Sequence, residues 1–487
     1  MTQLDNLSLV QRFIRLPLAQ RQAFLHKLHS KNMSLAALPI PAMRDEFETL
    51  DLSYAQERQW FLWQLDRHSG AYHVPTALRL RGALDLPALQ RSFDALLARH
   101  DVLRTVFVDS PQGPRQEVLA QLRLAIEPEA ADEAALKTLI DDEIAGLFDL
   151  QQGPLLRIKL LQLAADDHVL VLTQHHIICD GASARIMVND LVQLYAAHRS
   201  GQAPTLAPLP IQYADYAIWQ RKWMEAGELE RQLAYWTERL GDGGEVLPLP
   251  TDRPRPALQS HRGVRLDLRF DAGLTQGLKQ LAQREASTLF MVLLASFQAL
   301  LHRYSGQSDI RVGVPVANRN RPETEGLIGF FVNTQVLNAQ VRGDLPFVQL
   351  LAQVKQASLG AQAHQDLPFE QLVQALAPQR QASHSPLFQV MFNHQSGGAA
   401  QALQLPGLQV ESLDWRSHTA QFDLTLDTHE TDGELAASLS YATDLFDAST
   451  VQRMAEHWLN LLHGIVANPR QRIGELPLLT AAEQQQH

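Results

Sequence analysis

Two imidazoles, a thiol, a carboxylate and a glycine fall within one short run, His175-His176-Ile177-Ile178-Cys179-Asp180-Gly181. Histidine titrates near neutrality, so an imidazole here could take up and return a proton. A carboxylate four residues after His176 could hold the backbone turn or the ring. Three chemistries are open to such a cluster: a metal site, a proton-transfer site and a buried structural pair. Geometry opposes the metal. Adjacent side chains of an extended strand point to opposite faces, so His175 and His176 do not converge on one ion. A site of two histidines and a carboxylate needs three converging ligands; His176 and Asp180 could supply two, and no third stands nearby. Cys179 could be proposed as a nucleophile, but a small thiol in an apolar run is more commonly core. Asp180-Gly181 favours a turn. Strand parity then assigns His176 to a cleft and leaves His175 packed and hydrogen-bonded.

The run follows Val169-Leu170-Val171-Leu172, which reads as a strand within residues 168–174, with another at 155–163 before it. Residues 186–198 return to helical period. Upstream, residues 77–81 alternate like a strand, and Asp85 can cap a helix whose Leu86, Leu89, Phe93, Leu96 and Leu97 share one face. Residues 7–28 read as an amphipathic helix interrupted at Pro17, followed by the connector Leu38-Pro39-Ile40-Pro41. This stretch is expected to be an appended helical segment rather than core. Composition shifts to Gly and Pro at 200–210 and again at 241–263, where Pro248, Pro250, Pro254 and Pro256 stop any regular element. Beyond that, Ser287 is expected to cap an apolar helix over 288–304. Strands follow at 310–314, 388–392, 421–426 and 435–441, then a final helix at 448–466. The fold class is therefore mixed α/β, in two similar halves that suggest two lobes with a cleft between them. The expected divisions are an N-terminal helical linker segment (1–48), an N-terminal lobe (49–222), a C-terminal lobe (223–478) and the start of a linker (479–487).

A net charge of −11 over 487 residues, without a basic run, argues against tight sequence-independent binding to nucleic acid, which needs clustered Lys and Arg. Hydrophobic and charged shares of 45% and 20% are ordinary for a soluble globular chain. Cys179 is the one cysteine, so an intrachain disulfide is impossible and a Cys-rich zinc site is excluded. The N-terminus has no apolar signal core, and no stretch nears the roughly 18 uncharged apolar residues of a membrane span. A cytoplasmic protein without membrane association is the expectation.

The seven-residue run resembles the HHxxxDG signature of condensation domains from nonribosomal peptide synthetases. That motif alone also fits epimerisation domains and, more loosely, chloramphenicol acetyltransferase-like acyltransferases. Further stretches resemble the condensation motifs in the family's order: SYAQERQW (53–60), RHDVLRTVF (99–107), YADYAIW (213–219), IGFFVNTQ (328–335), HQDLPFE (364–370) and SPLFQVMF (385–392). The stretch from His364 to Glu370 looks like the condensation form rather than the epimerisation form. Cyclisation domains carry aspartate at the first motif histidine, and recruitment-type relatives lose the second; here both histidines stand. Departures are Asp101 where glutamate is usual, Ala182 where tryptophan is frequent, Gln59 at an aliphatic position, and a loosely kept lead-in at 380–384. Ala182 should reshape the space beside the active turn and so affect donor or acceptor preference.

The resemblance implies two chloramphenicol acetyltransferase-like lobes in a V-shaped pseudo-dimer, with the active site in a tunnel between them. It implies amide formation between an acyl or peptidyl donor and an aminoacyl acceptor. Both are thioesters on phosphopantetheine arms of upstream and downstream carrier domains, and the domain binds no cofactor or metal of its own. His176 is the candidate for hydrogen-bonding the attacking amine and handling its proton late. Gly181, lacking a side chain, can bring its backbone N–H to the reacting carbonyl as an oxyanion donor. Asp180 is expected to pair with an arginine that fixes the turn, with Arg99 or Arg104 as partner, and His175 to support the site. Ala182, Ser183, Asn333 and Gln335 are candidate tunnel residues. Leu478 to Glu483 looks like the connector before an adenylation domain, and the excised domain is expected to be a monomer. If Met1 is the native start, the donor comes from a separate protein or is a fatty acyl group.

Overall fold

The computed structural model describes residues 3–377, 379, 381–396, 404–413, 415 and 419–486. The chain forms two compact units. Unit 1 gathers Met1–Leu233, Ala317–Asn333 and Ala402–Trp415; unit 2 gathers Ala234–Val316, Thr334–Gln401 and Arg416–His487. Arg380, in the lead-in to the last motif, lies outside the described residues.

Unit 1 is built on a six-stranded open sheet in the order Gln404–Leu405, Leu408–Leu413, His73–Gly82, Asp167–His175, Leu156–Ala164 and Pro128–Ala130. The central strand Asp167–His175 is apolar on both faces, as a strand covered on both sides must be. Leu170 and Leu172 join the main core, whereas Val169 and Val171 pack with Leu136 and Ile140 of the helix Glu133–Ala145. Asp85 caps the helix Leu86–Arg99 by accepting the Ala88 N–H at 3.0 Å. The strand Leu408–Leu413 was not foreseen; it comes from far along the chain and pairs antiparallel with His73–Gly82, Ser412 opposite Leu78.

The N-terminal segment differs from expectation. It forms the helices Gln3–Arg15 and Leu18–Ser30, broken at Pro17, but it is core and not an appendage. Val10, Phe13, Leu25 and Leu35 are buried in the main cluster of unit 1. The apolar side chains that these helices turn inward are buried, and burying apolar surface stabilises by about 25 cal/mol per Å². Polar ties then fix its position: Arg21 donates to the Lys222 carbonyl at 2.9 Å, and Asp215 accepts the N–H groups of Met43 and Arg44 at 2.8 and 2.7 Å.

Unit 2 has its own six-stranded open sheet, ordered Asn333–Gln340, Asp309–Val316, Val390–Gln395, Leu424–Thr431, Glu434–Ala442 and Gly263–Arg269. The strand Gly263–Arg269 was also missed. The apolar helix Leu289–Ser305 is capped by Thr288, not Ser287: Thr288 accepts the Met291 N–H, while the Ser287 hydroxyl donates to Ala282 O. Gly313 is required where it stands, because a Cβ there would lie 2.3 Å from the Phe388 ring of the last motif. The final helix is Ala448–Ala467. Among the described residues no single helix is long and apolar enough to cross a membrane.

Candidate active site

The central strand of unit 1 ends at His175, a short 3-10 turn spans His176–Ile178, and Asp180 opens the helix Gly181–Ser200. His175 keeps the parity of Val169 and Val171. Its ring meets Phe148 edge-on with centroids 5.9 Å apart, and its Nδ1 accepts the Ile177 N–H at 3.0 Å. Burial lowers its pKa from 6.5 to about 3, with the adjacent His73 and His176 pushing the same way. At neutral pH the ring is therefore uncharged.

His176 is half-buried and held differently. Its backbone N–H donates to Tyr72 O at 2.8 Å, and its Nδ1 lies 2.6 Å from Cys179 O. A carbonyl oxygen only accepts, so Nδ1 carries the proton and Nε2 of the neutral ring holds the lone pair. Among the described residues Nε2 has no hydrogen-bond partner. The ring packs on Phe330, centroids 4.3 Å apart and planes tilted by 50°. Cys179 is fully buried, and burial, with Asp180 adding, pushes its thiol pKa well up. That removes it as a thiolate nucleophile.

Asp180 is the hub of the turn. Its Oδ1 caps the helix by accepting the Ser183 N–H at 2.9 Å and also accepts from Arg319 at 3.0 Å. Its Oδ2 accepts the N–H groups of Phe331 and Val332 at 3.0 and 3.1 Å. The ion pair is almost wholly buried, Asp180 at 3% and Arg319 at 8% exposure. Arg319 also donates to Thr324 O and Leu327 O and lies over the Phe331 ring. The partner is thus Arg319, not Arg99 or Arg104. Arg99 pairs with Asp190 at 3.3 Å and donates to Ala207 O. Arg104 pairs with Asp101 at 3.1 Å and donates to Leu97 O and Ala98 O, the open carbonyls at the end of the helix Leu86–Arg99.

The remaining predicted residues divide. Gly181 is exposed at the first position of its helix, where an N–H has no carbonyl one turn back to bond. A Cβ on it would meet nothing within 4 Å. Ala182 beside it is half-buried. Ser183 is fully buried: its hydroxyl donates to Gly329 O at 2.7 Å and accepts from Gly329 N and Arg319 at 2.9 and 2.6 Å. Gln335 is buried in unit 2 and its amide donates to Ala361 O at 2.8 Å. Asn333 ends the segment of unit 1 that carries Phe330 to Val332 and is half-buried. The turn therefore gathers His176, Asp180, Gly181 and Ser183 with Arg319 and Phe330. Sequence reasoning missed the last two. Phe330 sat inside a recognised motif, but nothing about Arg319 marked it, 139 residues from its partner.

A family model for the condensation domain matches residues 47–487. The chain belongs to the condensation-domain family. Its relatives include linear gramicidin synthase subunits C and D of Brevibacillus parabrevis, 46% identical over 455 residues and 45% over 463. These matches cover 92% and 93% of this chain but only 6% and 9% of those proteins. Among solved structures it is similar to the X-domain in a complex of the X-domain and OxyB from teicoplanin biosynthesis. The TM-score is 0.84 at 30% identity, over 89% of this chain and 97% of that one. It is also similar to a four-domain nonribosomal peptide synthetase bound to AMP and glycine. There the TM-score is 0.82 at 25% identity, over 90% of this chain and 34% of that one. Condensation domains of such synthetases are in general acyltransferase-type catalysts that work on carrier-bound substrates.

Proposed function

We propose that this condensation domain forms an amide bond between two carrier-tethered thioesters. An upstream carrier presents the acyl or peptidyl donor, a downstream carrier the aminoacyl acceptor, and both substrates ride on phosphopantetheine arms. An adenylation domain that follows would load the acceptor. The observation that carries the reading is the fixed tautomer of His176, whose Nδ1–H is committed to Cys179 O and whose Nε2 lone pair is unpartnered.

The neutral acceptor amine adds to the donor carbonyl carbon, and the carbonyl π pair moves to oxygen. The Gly181 N–H, at the first position of its helix, donates to that oxyanion. The tetrahedral adduct collapses with loss of the donor thiolate. The proton leaving the amine passes to Nε2 of His176 and on to the thiolate, giving amide and free thiol. General-base help contributes about 10²–10⁴-fold, whereas orientation of reactants reaches effective molarities of roughly 10⁵–10⁸ M. An amine already neutral needs little activation, so His176 acts first by orienting it. Asp180 touches neither reactant and holds the turn.

With both carriers loaded, His176→Ala should lower dipeptide yield by at least about 10²-fold, measured by mass spectrometry of the carrier-bound product. Near-normal yield overturns the reading. The likeness to the X-domain found with OxyB favours one other reading, a platform that recruits partners. Tight carrier binding with no product from the wild-type domain would support it. Exchange of the α-proton in deuterated water with a single loaded carrier would instead indicate epimerisation.

A further inference from the structure

We propose that Phe330 is a positioning residue for His176, its ring setting the plane of the imidazole and so the direction of the Nε2 lone pair. This rests on the reading of His176 as the group that meets the acceptor amine.

The argument starts from what a single tether leaves undone. The Nδ1–H bond to Cys179 O fixes one distance of the His176 ring but lets the ring swing about the Nδ1···O line. A flat neighbour at 4.3 Å, tilted by 50°, closes off that swing. A neighbour can do this only if it is itself immobile, and the backbone around Phe330 is fastened on every side. Gly329 is bound through both its N–H and its carbonyl to the Ser183 hydroxyl. The Phe330 carbonyl accepts from Tyr213 Oη at 2.6 Å, and that hydroxyl also meets Ser53 Oγ at 2.7 Å. The next two N–H groups end on Asp180. A Cβ at Gly329 would stand 2.2 Å from the Tyr213 ring, so the chain passes closer than any other residue allows. Phe330 as a whole is 8% exposed, which leaves its side chain few rotamers. The same carboxylate that caps the catalytic turn thus holds the segment that aims the imidazole.

Phe330→Leu keeps apolar volume but removes the flat face; Phe330→Tyr keeps the face. Turnover with both carriers loaded should fall by about ten- to a hundredfold in Phe330→Leu, since a displacement near 1 Å costs about that much. KM for each carrier should stay within twofold, and Phe330→Tyr should retain most of the rate. Imidazole ¹⁵N spectra supply a readout that mere packing would not move. The wild type and Phe330→Tyr should show His176 as the Nδ1–H tautomer, and Phe330→Leu as a mixture. Unchanged turnover together with an unchanged His176 spectrum in Phe330→Leu overturns the proposal. If His176→Ala itself keeps full activity, the reading of the reaction falls, and the spectrum alone then decides whether Phe330 orients the ring. Should Phe330→Leu fail to fold, Phe330→Met gives the same comparison.

Discussion

In unit 1 the imidazole of His176 gives its Nδ1–H to a backbone carbonyl and leaves Nε2 unpartnered. In unit 2 the imidazole of His457 has both nitrogens engaged: Nδ1 lies 2.6 Å from Tyr304 Oη, and Nε2 lies 2.9 and 3.0 Å from the two carboxylate oxygens of Glu483. A carboxylate can only accept from a neutral ring, so His457 carries its proton on Nε2 and accepts the Tyr304 hydroxyl at Nδ1. The tautomers are opposite. His457 pins the helix Ala481–Gln485, whose capping box joins Thr480 to the same Glu483. Both rings are positioned by hydrogen bonds, but of the two only His176 keeps a ring nitrogen without a hydrogen-bond partner among the described residues. What makes a histidine a candidate for chemistry is the nitrogen its neighbours leave alone.

That contrast can be broken most forcefully through Asp180. Removing its carboxylate leaves Arg319 buried without a counter-charge and frees the Ser183, Phe331 and Val332 N–H groups. Asp180→Ala should therefore lower stability by about 3–5 kcal/mol, measured by urea unfolding, and should abolish turnover with it. A loss below about 1 kcal/mol would mean that the turn around His176 is not clamped, and the comparison would lose its basis.

The next effect is on pH dependence. His175 has its folded pKa depressed to about 3 from 6.5. The unfolded chain therefore takes up the proton first, so this contribution is complete above about pH 6.5 and is lost progressively as pH falls toward the folded value. Between pH 7 and pH 5.5 the loss from this one group is about 1 kcal/mol by linkage. His175→Asn should lessen that part of the pH dependence in urea unfolding; an unaltered profile would show that His175 is not the neutral, buried partner of His176 that its environment indicates.

The smallest effect belongs to His457. His457→Ala should cost about 1 kcal/mol or less, confined to faster hydrogen exchange over residues 478–485, with turnover unchanged. A drop in turnover comparable to that of His176→Ala would erase the distinction between the two imidazoles.

Much of this was legible in the chain. The apolar run Val169 to Leu172 announced a strand, and its parity separated His175 from His176. Asp85 announced its helix through local capping chemistry, and the His-His to Asp-Gly spacing with its companion motifs pointed to the family. These signals are local, and local geometry follows from a few neighbouring residues. The N-terminal helices were misjudged as an appendage because an amphipathic stripe reveals that a face will be buried but not against what. The strand Leu408–Leu413 was missed for a related reason: its pairing partner lies more than three hundred residues away. The arginine on Asp180 belongs to the same class. Arg99 and Arg104 had nearer claims, on Asp190 and on the carbonyls ending a helix, while Arg319 carried no mark of its role. Residue types and spacing thus determined which groups could do chemistry and on which side of a strand they emerge. Only the tertiary structure decided which charge neutralises Asp180, which nitrogen of His176 bears the proton and which ring faces it, because those depend on contacts between segments whose separation along the chain leaves no periodic trace.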